Sequence, residues 1–292
     1  SAVLPLYGCS TVGAKQELLV DRLGRDTQDP SYWSKVRVAE TVNKSGTELP
    51  VVFLHGGGLN TSSFFRYMKF FAEKDHPTFA YDLLGHGDSE PVPMDNISID
   101  QLAELHQEQL KKWSVEEHIA VGHSIGAMVM LQHASKHPGK YKGLILANAL
   151  DVSPKKFDFS ISFMLNVHIS NSKNNFIGQR AYDYSAEPMK GTDAYQISLK
   201  YTDSHSISAI VGALEGYDVR SSMKNIQAPI FFIHGKRDRI MDAGGVEDMA
   251  NRPPNTRLLV VEGGQYWSLE KPELVDSILT QNYHFVVGKQ PK

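Results

Sequence analysis

The stretch Glu117-His118-Ile119-Ala120-Val121-Gly122-His123-Ser124-Ile125-Gly126-Ala127-Met128-Val129-Met130-Leu131 decides the fold of this chain. Residues 117–121 are a short apolar run closed by a glycine, which predicts a buried strand, and residues 127–134 are rich in apolar side chains in the manner of a helix. Between them stands Gly-x-Ser-x-Gly. Small residues on both sides of Ser124 let neighbouring backbone approach closely, so the pentapeptide suits a tight, strained turn from strand to helix. Ser124 then opens a helix whose free N–H groups and dipole favour negative charge, and the Ile125 N–H can bind a developing oxyanion. With only three fixed residues the pattern says little alone.

Further segments fall around it in a consistent order. Val51-Val52-Phe53-Leu54 is an apolar strand ending in His55-Gly56-Gly57-Gly58, a glycine loop able to aim a second backbone N–H at the same oxyanion. Thr78-Phe79-Ala80-Tyr81-Asp82 is another strand, followed by a glycine-bearing turn over residues 83–89. Leu144–Asn148, Pro229–His234 and Leu258–Val261 read as later strands, and Tyr32–Thr41 alternates like an early one. Helices are predicted over Ser62–Glu73, with Phe64, Phe65, Met68 and Phe71 or Ala72 as its apolar stripe, and over Ser98–Trp113. Strands alternating with helices imply an α/β fold with a mostly parallel sheet, covered on both faces and carrying its site at the strands' carboxyl ends.

On these motifs the chain resembles the α/β-hydrolase superfamily, and within it the serine hydrolase branch with an inserted, mainly helical cap, over roughly residues 32–287. The resemblance implies that Ser124 is the nucleophile, that Gly57 and Ile125 supply the oxyanion N–H groups, and that Asp238, after a late strand, is the triad acid. Asp151, after the preceding strand, is the rival acid, and Asp82 is expected to be structural. The family's histidine follows the last strand, five residues before the glutamate of a Leu-Glu-Lys-Pro segment. Here Leu269-Glu270-Lys271-Pro272 places Gln265 at that position.

A carboxamide gives and takes hydrogen bonds but is no useful base near neutral pH, whereas a neutral imidazole takes the serine proton and returns it to the leaving group. Loss of one member of such a triad costs roughly 10⁴ to 10⁶ in turnover. Two origins of Gln265 fit: a deliberate exchange that keeps the pocket while stopping turnover, or a natural binding relative of the enzymes. The resemblance therefore implies a serine hydrolase for a small or medium, largely apolar carboxylic ester or lactone, present in a histidine-deficient form. A small-molecule receptor on the same scaffold and a carbon-carbon bond hydrolase are the alternatives. Serine at position 124 argues against dehalogenase and epoxide hydrolase chemistry, which place a carboxylate there.

The other histidines have quieter expectations. His55 and His86 are expected to bond local backbone, and His123 to pack beneath the turn. His76, His106, His118, His133 and His137 are expected to be solvated or helix-end residues, without zinc-like spacing. Neither metal nor cofactor is expected. Between residues 149 and 225 the strand-helix rhythm stops, so the chain divides into an extension at 1–30, a core at 31–149 and 226–292, and a cap at 150–225. Phe163 and Tyr184 from the cap, with Gly58, His123, Tyr266 and Trp267 from the core, are the candidate pocket residues; the cap aromatics serve equally well to pack cap onto core.

Composition narrows the partners. A net charge of −3 without a basic cluster argues against nucleic acid, and no apolar run is long enough to span a membrane. Cys9 is the one cysteine, which excludes an internal disulfide and fits a reducing, cytoplasmic setting. At 292 residues the chain can hold one large core plus an insertion; a monomer or homodimer is expected.

Overall fold

A computed structural model describes residues 18–19, 36–92, 97–153, 202–238, 240–241 and 245–288. Eight strands form one sheet: β1 Leu18–Leu19, β2 Val36–Val42, β3 Val51–Leu54, β4 Thr78–Tyr81, β5 His118–His123, β6 Tyr141–Ala147, β7 Ile230–Gly235 and β8 Thr256–Val261. Their spatial order is β1-β2-β4-β3-β5-β6-β7-β8. β1, β2 and β4 pair antiparallel, and the run from β4 to β8 is parallel throughout. The early strand, Val36–Val42, overlaps the predicted 32–41, of which residues 32–35 lie outside the described residues, and the pair Leu18–Leu19 beside it falls within the predicted N-terminal extension.

The central strands are buried on both faces, so they read as unbroken apolar runs rather than alternating ones. Successive side chains still separate the two sides. Val52, Leu54, Ala120, Leu144 and Phe232 join one core cluster, and Val51, Phe53, Ile119, Ile145 and Phe231 join the other. α2 (Ile99–Lys112) and α3 (Ile125–Lys136) pack together on the first side, while α1 (Phe65–Ala72) and the C-terminal helix α7 (Pro272–Val287) pack together on the second. α2 begins at a capping box in which Ser98 Oγ accepts from the Gln101 N–H and the Gln101 side chain accepts from the Ser98 N–H. Short helices α4 (Ser204–Gly212), α5 (Val246–Ala250) and α6 (Trp267–Glu270) complete the described fold. Among the described residues no helix is long and apolar enough to cross a membrane.

Two expectations need correction. The apolar stripe of α1 runs through Tyr67, Met68, Phe70 and Phe71, whereas Phe65 is 60% exposed. The first turn is a 3-10 turn over Thr61–Phe64, and the tighter winding rotates the buried stripe away from Phe65. His76, His106, His118 and His133 are buried, not solvated; only His137 of that group is exposed. His106 and His133 meet across the α2–α3 seam with ring centroids 5.3 Å apart, and His118 adds a third ring 6.0 Å from His106. Hydropathy scores a histidine as polar. A neutral imidazole can nonetheless sit in a core when phenols and amides bond its nitrogens, as Tyr141 Oη (2.7 Å) and Gln107 Oε1 (3.0 Å) do for His133.

Chain crossings that carry Ser124 leave no room for side chains. A Cβ on Gly126 would stand 2.2 Å from the Leu54 carbonyl oxygen, and one on Gly122 would stand 2.6 Å from the Ala127 Cα. Both close approaches are to backbone, which cannot step aside. Gly126→Ala is therefore expected to lose about 3 kcal/mol or more of stability, measured as a lowered denaturant midpoint at unchanged slope; a shift under 0.5 kcal/mol would contradict this packing.

Candidate active site

Ser124 stands between the end of β5 and the start of α3 at φ 51°, ψ −125°, a conformation that L-residues rarely adopt. Its N–H is held by the Ala147 carbonyl at 2.8 Å, which ties the turn to β6. The predicted strained turn is thus present, and it puts the serine at the carboxyl edge of the parallel sheet.

The glycine loop after β3 lies next to it. A Cβ on Gly56 would meet His123 Nδ1 at 2.6 Å and Ser124 Cβ at 2.9 Å. His55 and His86 brace this loop through backbone, as expected. His55 Nδ1–H donates to the Gly56 carbonyl (2.8 Å) and its Nε2 accepts from the Leu83 N–H (2.9 Å). His86 Nδ1–H donates to Leu84 (3.0 Å) while its Nε2 accepts from the Gly58 N–H (3.0 Å). A nitrogen that accepts an amide proton cannot carry its own, so these bonds fix both rings as neutral Nδ1–H tautomers. Burial pushes His86 down to about 4 and His55 well below its ordinary value. The Gly58 N–H is occupied in this way, whereas the N–H groups of Gly57 and Ile125 bond no described residue.

Asp82 is a brace as well. It accepts from the Thr61 N–H (2.8 Å) and the Asp88 N–H (3.2 Å), and burial raises its carboxyl to about 6.

Gln265 sits between Ser124 and Asp238. Its amide is oriented by these neighbours: Oε1 accepts from Ser124 Oγ–H at 2.7 Å, and Nε2 donates to the Asp238 carboxylate, 3.2 Å from Oδ1 and in closer contact with Oδ2. All three side chains are buried. Asp238 also accepts from the Ile240 and Met241 N–H groups at 2.8 and 2.9 Å and from Asn148 Nδ2 at 2.6 Å. Asp151 is turned away and bonds Arg252 Nε at 2.5 Å.

Loop stitching brings residues 238 and 265 together. The Arg237 N–H donates to the Gly263 carbonyl (2.9 Å), and Gly235 lies so close that a Cβ there would be 2.3 Å from the Gly264 oxygen. His123 adds a third tie: its Nε2–H donates to the Gln265 carbonyl at 2.7 Å, and its ring lies at the base of the site with a pKa pushed down to about 4 by burial. Trp267 is turned into the core, where its Nε1–H donates to Asn148 Oδ1 at 3.0 Å, and Tyr266 is buried beside the His123 ring. Phe163 and Tyr184 lie outside the described residues. Among the described residues no group of three His, Cys, Asp or Glu is placed to hold a metal ion.

Asn148 is the residue sequence reasoning missed. It stands at φ 52°, a left-handed conformation that asparagine tolerates better than most residues, and it bonds Asp238 and Trp267 at once. An asparagine closing an apolar strand was the available signal. Asn148→Ala leaves Asp238 and the indole each short of a buried partner, so a loss of about 2 kcal/mol is expected in denaturant unfolding; Asn148→Asp puts like charge beside Asp238 and should cost more.

The profile of the alpha/beta hydrolase fold family matches residues 50–272, and the chain belongs to that family. Among curated relatives it is 24% identical to the non-heme chloroperoxidase CPO-A1 of Kitasatospora aureofaciens, covering 76% of this chain and 86% of that protein. It is 23% identical to the monoglyceride lipase of Rattus norvegicus, covering 80% and 81%. A shorter match, 33% identical over 95 residues, covers 32% of this chain and only 35% of a Mycoplasma genitalium protein. Solved structures share the fold: a carboxylesterase of the thaumarchaeon Nitrososphaera gargenis (TM-score 0.77, 18% identity, 87% of this chain and 96% of that one), and the enol-lactonase of Burkholderia xenovorans (TM-score 0.73, 15%, 84% and 96%).

Proposed function

We propose that this chain is a serine hydrolase of small or medium, largely apolar carboxylic esters or lactones, working through an acyl-serine, and that Gln265 suppresses its turnover. The hydrogen-bonded line Ser124–Gln265–Asp238 carries this reading. In that line Gln265 accepts from the serine and donates to the carboxylate, the polarity a neutral histidine would show with Nε2 toward Ser124 and Nδ1–H toward Asp238. Asp238 would orient the base, and the N–H groups of Gly57 and Ile125 would hold the oxyanion of the tetrahedral intermediate. The relatives named as a lipase and the folds of a carboxylesterase and an enol-lactonase support the ester or lactone class.

The test is a panel of short- and medium-chain nitrophenyl esters and lactones offered to the Gln265→His protein, with Gln265→His/Ser124→Ala beside it. Turnover abolished by the Ser124 change supports acyl transfer. Activity that survives it would show that the hydrolysis does not run through an acyl-serine at Ser124. A folded Gln265→His protein inert to the whole panel would favour the receptor reading.

A further inference from the structure

We infer that Ile207, on α4, is the specificity-determining residue of the acyl subsite, closing it to long or bulky acyl groups. This inference rests on the hydrolase reading and adds the substrate side to it.

The space in front of the glycine loop is asymmetric. A Cβ on Gly56 would collide with His123 and Ser124, which are parts of the site itself. A Cβ on Gly57 would meet one described atom only, Ile207 Cδ1 at 3.1 Å. Among the described residues, the space at Gly57 is therefore bounded by the end of one aliphatic side chain.

The helix that carries this side chain is held firmly. Asp203 caps α4 by accepting from the Ser206 N–H and Oγ–H, both at 2.7 Å, and its own N–H donates to the Gly85 carbonyl at 2.7 Å. Ser206 Oγ in turn accepts from the Val92 N–H at 2.8 Å, and Thr202 forms a bridge with His86, the ring that braces Gly58. Further along α4, Ala209 and Ile210 belong to the main core. The wall at Ile207 is thus bolted to the turn after β4 and excludes by shape.

Sheet order decides which part of a substrate meets it. Ser124 follows β5. Asp238 and Gln265 follow β7 and β8, to one side of it; Gly57 follows β3 and α4 docks on the turn after β4, to the other side. A base must reach the leaving oxygen to protonate it, so the leaving group lies toward residue 265. The oxyanion points at the Gly57 and Ile125 N–H groups, and the acyl chain is left facing β3, β4 and Ile207.

The experiment compares kcat/KM for nitrophenyl acetate, butyrate and octanoate in Gln265→His proteins carrying Ile207, Ile207→Val, Ile207→Ala or Ile207→Phe, with folding checked by thermal denaturation. One methylene in an apolar pocket is worth about 10-fold or more. The octanoate-to-acetate ratio should therefore rise at least 10-fold in Ile207→Ala, rise less in Ile207→Val, and fall in Ile207→Phe. Acetate esters of alcohols of increasing length should keep their ratios across the series. Ratios that follow the alcohol series, or neither series, overturn the inference. Binding of methyl- to octylboronic acids by the same proteins separates the two ideas. Chain-length dependence that moves with residue 207 in a protein inert to every ester would sink the hydrolase reading and with it the acyl role, leaving Ile207 as the wall of an alkyl-binding site; affinity indifferent to residue 207 would sink the inference itself.

Discussion

Gln265→His is expected to raise ester turnover by about 10⁴ to 10⁶, the loss that removal of one triad member produces in a serine hydrolase. At about 1.4 kcal/mol per factor of ten, this is a barrier change of roughly 5 to 8 kcal/mol from a single side chain. The geometry is ready for it. Gln265 Oε1 already lies 2.7 Å from Ser124 Oγ, and its nitrogen already lies on Asp238. An imidazole there would meet an acceptor at one nitrogen and a hydroxyl donor at the other, so the exchange should cost little stability. The restored protein should lose kcat/KM as pH falls through the pKa of the new imidazole, because its protonated form cannot accept the serine proton. Asp238→Asn in the same protein should remove most of the gain, while Asp151→Asn should not; the reverse result would transfer the acid role to Asp151. A gain under tenfold, with the fold intact, would show that the site lacks more than its base.

Acid is expected to unfold this protein steeply, and the buried histidines are the reason. Burial holds His118 at about 3, His133 at about 2 and His106 well below its ordinary value, with Lys136 and Lys140 adding like charge near the seam. Both ring nitrogens of His118 and Nε2 of His106 lack a hydrogen-bond partner among the described residues. Unfolded, each of these groups takes up a proton near pH 6.5; folded, each does so only at much lower pH. Their contribution is therefore fully present above about pH 6.5 and is lost as pH falls toward the folded values, at up to about 1.4 kcal/mol per pH unit for each. His118 and His133 together would remove on the order of 4 kcal/mol by pH 5, a large share of the stability of many domains, and His106 acts in the same direction. Unfolding free energies from urea titrations at pH 7.5, 6 and 5 measure this directly. His118→Phe should flatten the acid limb relative to the parent; parallel curves for parent and variant would show that other groups drive acid unfolding.

The sequence by itself determined the parts whose signals are local. Apolar runs closed by glycines located the central strands. The pentapeptide at 122–126 implied a strained turn, because only glycine lets backbone cross that close to Leu54 and Ala127. The resemblance to the hydrolase family, counted back from Glu270, implied that Gln265 stands where the family keeps its histidine. Tertiary structure alone decided which residues meet. Asp238 and Asp151 are both acids after strands, and only the crossing of the Gly235 and Gly264 backbones selects the first for Gln265. Asn148, His123 and Ile207 gained their places in the same way, from strands and helices far apart in the chain. His106 and His133 went into the core against their polarity, since the partners Tyr81, Tyr141 and Gln107 come from other elements. A local pattern reports how one segment can fold; the partner that satisfies a buried nitrogen or walls a glycine is set by contacts that exist only once the sheet is assembled.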